Sequence, residues 1–130
     1  MSEAFDRGLR VRREVLGAEH VDRSLAAASE FSRPMQDLVT EYCWGAVWAR
    51  DDLDRRTRSL INVAMIAALG KQHELGLHVR GAVTNGATVE EIRGALLQTA
   101  VYCGMPAGLE ALRTAAAALA EIGALGARGA

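Results

Sequence analysis

Residues 55–69, RRTRSLINVAMIAAL, decide the fold. Three arginines crowd its start, and from Leu60 onward almost every position is apolar, with no glycine or proline inside the run. The stretch is far longer than the roughly 5–6 residues of an ordinary strand, so it reads as a helix. A helix apolar on nearly all sides is buried on most of them, which would put 55–69 at the centre of the domain. Asp54 stands where a short carboxylate can cap the free N–H groups of the first turn, and Gly70 ends the run.

Working outward toward the C-terminus, a helix is expected over Lys71 to Val83, stopped by Thr84-Asn85-Gly86, where Asn85 or Gly86 can turn left-handed. Thr88 and Glu91 have the three-residue spacing of a capping box and open a helix to Tyr102. Gly104-Met105-Pro106 restarts the chain into a last helix, Ala107 to about Ile122. Toward the N-terminus, Pro34 opens a helix carrying Leu38, Val39, Tyr42, Cys43 and Val47 that stops near Arg50. A short segment covers Val21 to Ser29. The first helix covers Glu3 to Leu16, with Phe5, Leu9 and Val15 inward and Gly17 ending it. Nowhere do apolar and polar residues alternate long enough for a strand. The expectation is a compact all-α bundle, a single domain over residues 1–124 with a disordered tail at 125–130.

Composition agrees. The 130 residues are 50% hydrophobic but only 5% aromatic, which favours closely packed helices over sheets. Fifteen basic and sixteen acidic side chains leave a net charge of −1, without the basic excess of a nucleic-acid protein. The start, MSEAFDRGLR, lacks the apolar run of a signal peptide, and Val63–Leu69 is far short of the ~20 residues that span a bilayer. A soluble cytoplasmic protein without membrane partner is expected. Cys43 and Cys103, sixty positions apart among apolar neighbours, read as small buried hydrophobes. Arg12 and Arg13, beside acids, read as a solvated face. No phosphate loop and no metal-ligand spacing occurs, so no metal is expected.

Candidate chemistry sits in two places. In HELGLH, residues 73–78, Glu74 and His78 are four apart and share a helix face with Lys71, Leu75 and Ala82. A carboxylate there can orient the imidazole and raise its pKa, giving a proton donor near neutral pH, although a pair at this spacing is more often a surface or structural ion pair; His73 points elsewhere and reads as exposed. The second place is YCWGAVW, residues 42–48, followed by the arginines of 55–58. Tyr42, Trp44 and Trp48 can line a site, but each taken singly reads first as core packing or an oligomer interface. Arg55, Arg56 or Arg58 can grip a substrate carboxylate in two-pronged fashion, with Arg58 nearest the apolar run.

RGLRVRREVLG at 7–17, the YCWGAVW and LDRRTRSL segments, and HELGLHVRGAVTNGATVEEIRGALLQTAVYCGMPAG at 73–108 together resemble the gamma-carboxymuconolactone decarboxylases over roughly residues 5–112. The resemblance implies an all-helical fold assembling into homo-oligomeric rings, hexamers or trimers. It implies a cofactor-free reaction in protocatechuate breakdown, in which a small anionic lactone, 4-carboxymuconolactone, loses carbon dioxide to give 3-oxoadipate enol-lactone. His78 would then be the proton donor or oxyanion partner with Glu74 orienting it. Arg58 or Arg55 would bind a carboxylate, and Tyr42, Trp44 and Trp48 would lie at the substrate, the tryptophans desolvating the departing group. The related alkylhydroperoxidase D proteins need two cysteines where this chain has Lys71 and Glu74, which argues against peroxidase chemistry. Ala46, Leu109, Glu110 and Arg113 depart from the decarboxylase pattern. They leave room for decarboxylation, isomerisation or another proton transfer on a different small acid of secondary metabolism, or for a non-catalytic oligomeric scaffold.

Overall fold

A computed structural model describes residues 2–126, and among these the regular structure is helical throughout. The chain divides into two compact units, Met1–Asp54 and Arg55–Ala130.

The first unit holds α1 (Glu3–Leu16), α2 (Ala18–Ala26), α3 (Arg33–Leu38) and a π-helical segment, Val39–Trp48. Ser2 caps α1 by accepting the Phe5 N–H at 3.0 Å, and Gly17, at φ +95°, ends α1 and admits α2. Pro34 sits in the first turn of α3, where its missing N–H costs nothing. The segment 34–50 is therefore not one α-helix as expected, because its backbone widens to π geometry from Val39, a rare form often found at functional sites. α1 packs against this segment with two glycines at the contact: a Cβ on Gly8 would lie 2.0 Å from the Thr40 carbonyl oxygen, and one on Gly45 the same distance from that of Ala4. Val11, Val15, Trp44 and Trp48 form the core, with the indoles stacked at 4.7 Å. Leu9, expected inward, is only half-buried, whereas Arg12, expected in solvent, is 6% exposed. The Arg12 guanidinium donates to Thr40 Oγ1 and Gln36 Oε1, each at 3.0 Å, so its partners come from 24 and 28 residues away.

The second unit is a four-helix bundle of α4 (Arg55–Leu69), α5 (Gln72–Thr84), α6 (Val89–Cys103) and α7 (Met105–Glu121). Around its core the helices follow in the order α4, α5, α7, α6. The sequence expectation for α4 holds in extent but not in burial. Only Ser59, Val63 and Ala67, one turn apart, are buried, while Ile61, Met65 and Leu69 expose 40%, 51% and 69%. Leu75, Val79 and Ala82 face the same core from α5, Ile92 and Leu96 from α6, Ala111 and Ala115 from α7. Small residues let α6 and α7 approach closely: a Cβ on Gly108 would lie 2.3 Å from that of Ala100. α5 ends on Gly86, which takes the left-handed conformation (φ +94°), while Asn85 stays at φ −85°. The Thr88–Glu91 capping box forms as read. Leu125, assigned to a tail, packs against the core, and the tail residues 127–130 lie outside the described ones. Cys43 and Cys103 are exposed and in no disulfide, contrary to the buried reading: each falls on an outward position of its helix.

Candidate functional site

α5 presents its inward stripe at positions 75, 79 and 82, all fully buried, and the one-turn geometry of a helix brings His78 to the edge of that stripe. The imidazole is half-buried and its Nδ1 is shielded from solvent. Glu74, one turn earlier, is exposed, as are Lys71 and His73. Two influences on His78 oppose each other. Burial disfavours the charged imidazolium, and the Glu74 charge favours it; burial is the larger, so the pKa lies below its ordinary value of 6.5. The sequence reading had Glu74 raising the pKa overall. Its direction for Glu74 is right, but desolvation outweighs it, because an exposed carboxylate is screened by water whereas the ring itself has lost part of its hydration. The fold therefore favours the neutral form of the His78 imidazole. A neutral ring donates one N–H hydrogen bond, and negative charge developing beside it favours its taking up a proton.

The neighbouring helix contributes the arginines. Arg55, Arg56 and Arg58 all belong to the first turn of α4, at the positive end of the helix dipole, where cations are disfavoured. Arg55 and Arg58 are half-buried, and Arg58 Nε is shielded from solvent. Arg56 is ion-paired with Glu91 of α6. The Glu91 carboxyl is held below its ordinary range first by the Thr88 backbone N–H and then by Arg56. Asn85, at the end of α5, donates from Nδ2 to Ser59 Oγ at 2.8 Å and approaches the Arg55 carbonyl oxygen at 3.5 Å. Ser59 is fully buried. These contacts were not singled out in the sequence. Their only trace there is Asn-Gly followed by the capping box, which accounts for a turn without revealing that the turn reaches back to α4.

His78, Glu74, Arg55 and Arg58 thus fall in the second unit, on two packed helices. Tyr42, Trp44 and Trp48 fall in the first. Trp44 and Trp48 expose only 4% and 7%, their faces taken up by each other and by the core with Val11 and Val15. The core alternative left open in the sequence is the one the indoles fulfil in this unit, and Tyr42 is 64% exposed. Among the described residues no three His, Cys, Asp or Glu side chains assemble as a metal-holding group, and no helix is long and apolar enough to cross a membrane.

The described residues thus place an imidazole at the edge of a buried stripe and three arginines at the start of the adjacent helix. Residues 33–117 match the carboxymuconolactone decarboxylase family, and the chain belongs to that family. It is 51% identical over 108 residues to the nitrosuccinic acid decarboxylase of Metarhizium robertsii, covering 83% of this chain and 76% of that one. It is 38% identical over 121 residues to the 4-carboxymuconolactone decarboxylase of Acinetobacter baylyi, covering 93% and 90% respectively.

Proposed function

We propose that this chain is a carboxy-lyase for a small acid whose leaving carboxylate sits beside an electron-withdrawing group, with nitrosuccinate as its substrate. The observation that carries the reading is the half-buried His78 on α5, the helix that packs against the arginine-bearing α4; the 51% identity to a nitrosuccinic acid decarboxylase supports the choice of substrate. In nitrosuccinate one carboxylate shares its carbon with the nitro group. Breaking that C–C bond releases carbon dioxide and leaves the electron pair on the nitro-bearing carbon, from which it spreads onto the nitro oxygens as a nitronate. An N–H aimed at those oxygens stabilises charge where it develops, and its contribution grows as water is excluded. Protonation at carbon then completes the reaction. The nitronate raises the basicity of the adjacent imidazole, so His78 can take a proton from solvent and pass it on, with Glu74 steadying the transient imidazolium. The second carboxylate stays intact through the reaction and suits a two-pronged grip by Arg58, with Arg55 beside it.

The 38% identity over 93% of the chain favours one second reading, 4-carboxymuconolactone as substrate. There the electron pair spreads into the unsaturated lactone as a dienolate, and the same N–H would face the lactone oxygen. Self-association into a ring belongs to the proposal as well, supported by exposed apolar side chains on α6 and α7 such as Leu97, Val101 and Leu109.

Incubating the purified chain with nitrosuccinate should release carbon dioxide and give 3-nitropropanoate in the proton spectrum, and His78→Ala should abolish both. Loss of the 4-carboxymuconolactone absorbance with no turnover of nitrosuccinate moves the assignment to the second reading. No carbon dioxide from either acid overturns the decarboxylase reading.

A further inference from the structure

The arginine-bearing turn of α4 concentrates positive charge at one helix end. Three guanidinium groups lie within four residues, repelling one another at a helix end whose partial charge is also positive. The segment from the end of α5 into α6 holds that turn at two points, Asn85 and Glu91, at opposite ends of a seven-residue span. Asn85 takes Ser59 Oγ and lies over the Arg55 carbonyl, bracketing the first turn of α4 at residues 55 and 59. Glu91 takes the guanidinium of Arg56. Glu91 is itself fixed, since its carboxylate also accepts the Thr88 N–H of the capping box at 2.9 Å. Arg55 and Arg58 belong to this same turn, and they ride on a backbone held at residues 55 and 59. The same Asn85 terminates the helix that carries His78, seven residues along.

We propose that Asn85 is a positioning residue for catalysis: through Ser59 and the Arg55 carbonyl it sets the placement of the Arg55–Arg58 turn relative to the His78 helix, with the Glu91–Arg56 pair as a second brace. The inference rests on the reading of Arg58 and His78 as substrate-facing groups. Its chemistry is that of pre-organisation: a two-pronged carboxylate grip tolerates little displacement, so loosening the turn weakens dianion binding before it touches the proton-transfer group.

The test uses the full chain with nitrosuccinate as substrate and succinate, an unreactive dicarboxylate, as a binding probe followed by calorimetry. Asn85→Ala and Ser59→Ala should each raise the KM for nitrosuccinate and the Kd for succinate about ten-fold. They should change kcat less than three-fold and leave the acid limb of the pH profile in place. Ser59→Ala only removes an oxygen from a buried site and keeps the variant set informative if Asn85→Ala unfolds. A Ser59→Thr variant, which keeps the hydroxyl, should return KM toward wild type. Unchanged KM and Kd in both alanine variants overturn the inference, as does a fall in kcat alone. The outcome is kept apart from the fate of the site itself by Arg58→Ala and His78→Ala. If those two retain full activity the site assignment fails. If they lose activity while Asn85→Ala behaves as wild type, only the positioning role fails.

Discussion

Replacing Gly108 with alanine should destabilise the second unit, whereas the same replacement at Gly94 should stabilise it. The two glycines sit inside consecutive helices of the same bundle, so the intrinsic gain of alanine over glycine, about 1 kcal/mol, is common to both. At Gly94 nothing lies within 4 Å of the added methyl group, and the gain should appear almost undiminished, as roughly 0.5–1 kcal/mol. At Gly108 the methyl would sit 2.3 Å from Ala100 Cβ and 2.8 Å from its Cα. Carbon atoms pack at about 3.5–4.0 Å, so α6 and α7 would have to part by more than an ångström. The obstacle includes backbone, and no rotamer change relieves it. Overpacking of this kind costs typically 1–3 kcal/mol, here toward the upper end, leaving a net loss of about 2 kcal/mol after the helical gain. The separation between the two variants is then about 3 kcal/mol, read as the difference in urea midpoints followed by far-ultraviolet circular dichroism. Combining Gly108→Ala with Ala100→Gly removes one of the two colliding methyl groups and should recover part of the loss, a coupling expected only between neighbours. Gly108→Ala as stable as wild type would mean that α6 and α7 are not in the close contact described.

Other outcomes follow from His78 and the core. Because burial lowers the His78 pKa, the unfolded chain binds more protons than the folded one between the lowered value and the ordinary 6.5. Wild type should therefore lose stability as pH falls through that window, and His78→Gln should lose less; equal slopes in urea titrations across pH 7.5 to 5.5 would contradict the burial. Glu74 raises the same pKa, so Glu74→Gln should lower it further and move the acid limb of kcat/KM to lower pH; a limb that stays put or rises would remove Glu74 from the site. Val63 is fully buried, and Val63→Ala deletes two methyl groups, so it should cost about 2–3 kcal/mol in the same denaturation assay.

Helix extents were the part most open to reading from sequence. α1 and α4 fall where periodicity, Gly17 and Gly70 put them, and the capping box at Thr88 is a local signal with a local cause. The π-helical stretch was not legible, because VTEYCWGAVW has the same apolar spacing whether the backbone winds at the α or the wider pitch. Arg12 was misread for a different reason: acids adjacent in sequence suggested solvent, while its guanidinium reaches inward to Thr40 and Gln36. Within the site, the Glu74–His78 spacing revealed their shared face and the sign of their interaction. The net shift depends on how much water the ring loses, which is a property of the packed bundle. Asn85 and Glu91 were read only for their local roles, ending one helix and capping the next, and those roles mask their longer reach to α4.

The meeting of α1 with the π-helical segment carries an implication for how this protein can vary. At Gly8 and Gly45 the neighbour is main chain, so no compensating change of side chain elsewhere can make room for even the smallest substituent. Most interior positions drift by trading volume with their surroundings; these two have nothing to trade. Each position therefore has to stay glycine whatever side chains surround it, and a substitution at either one has no second-site rescue among its neighbours.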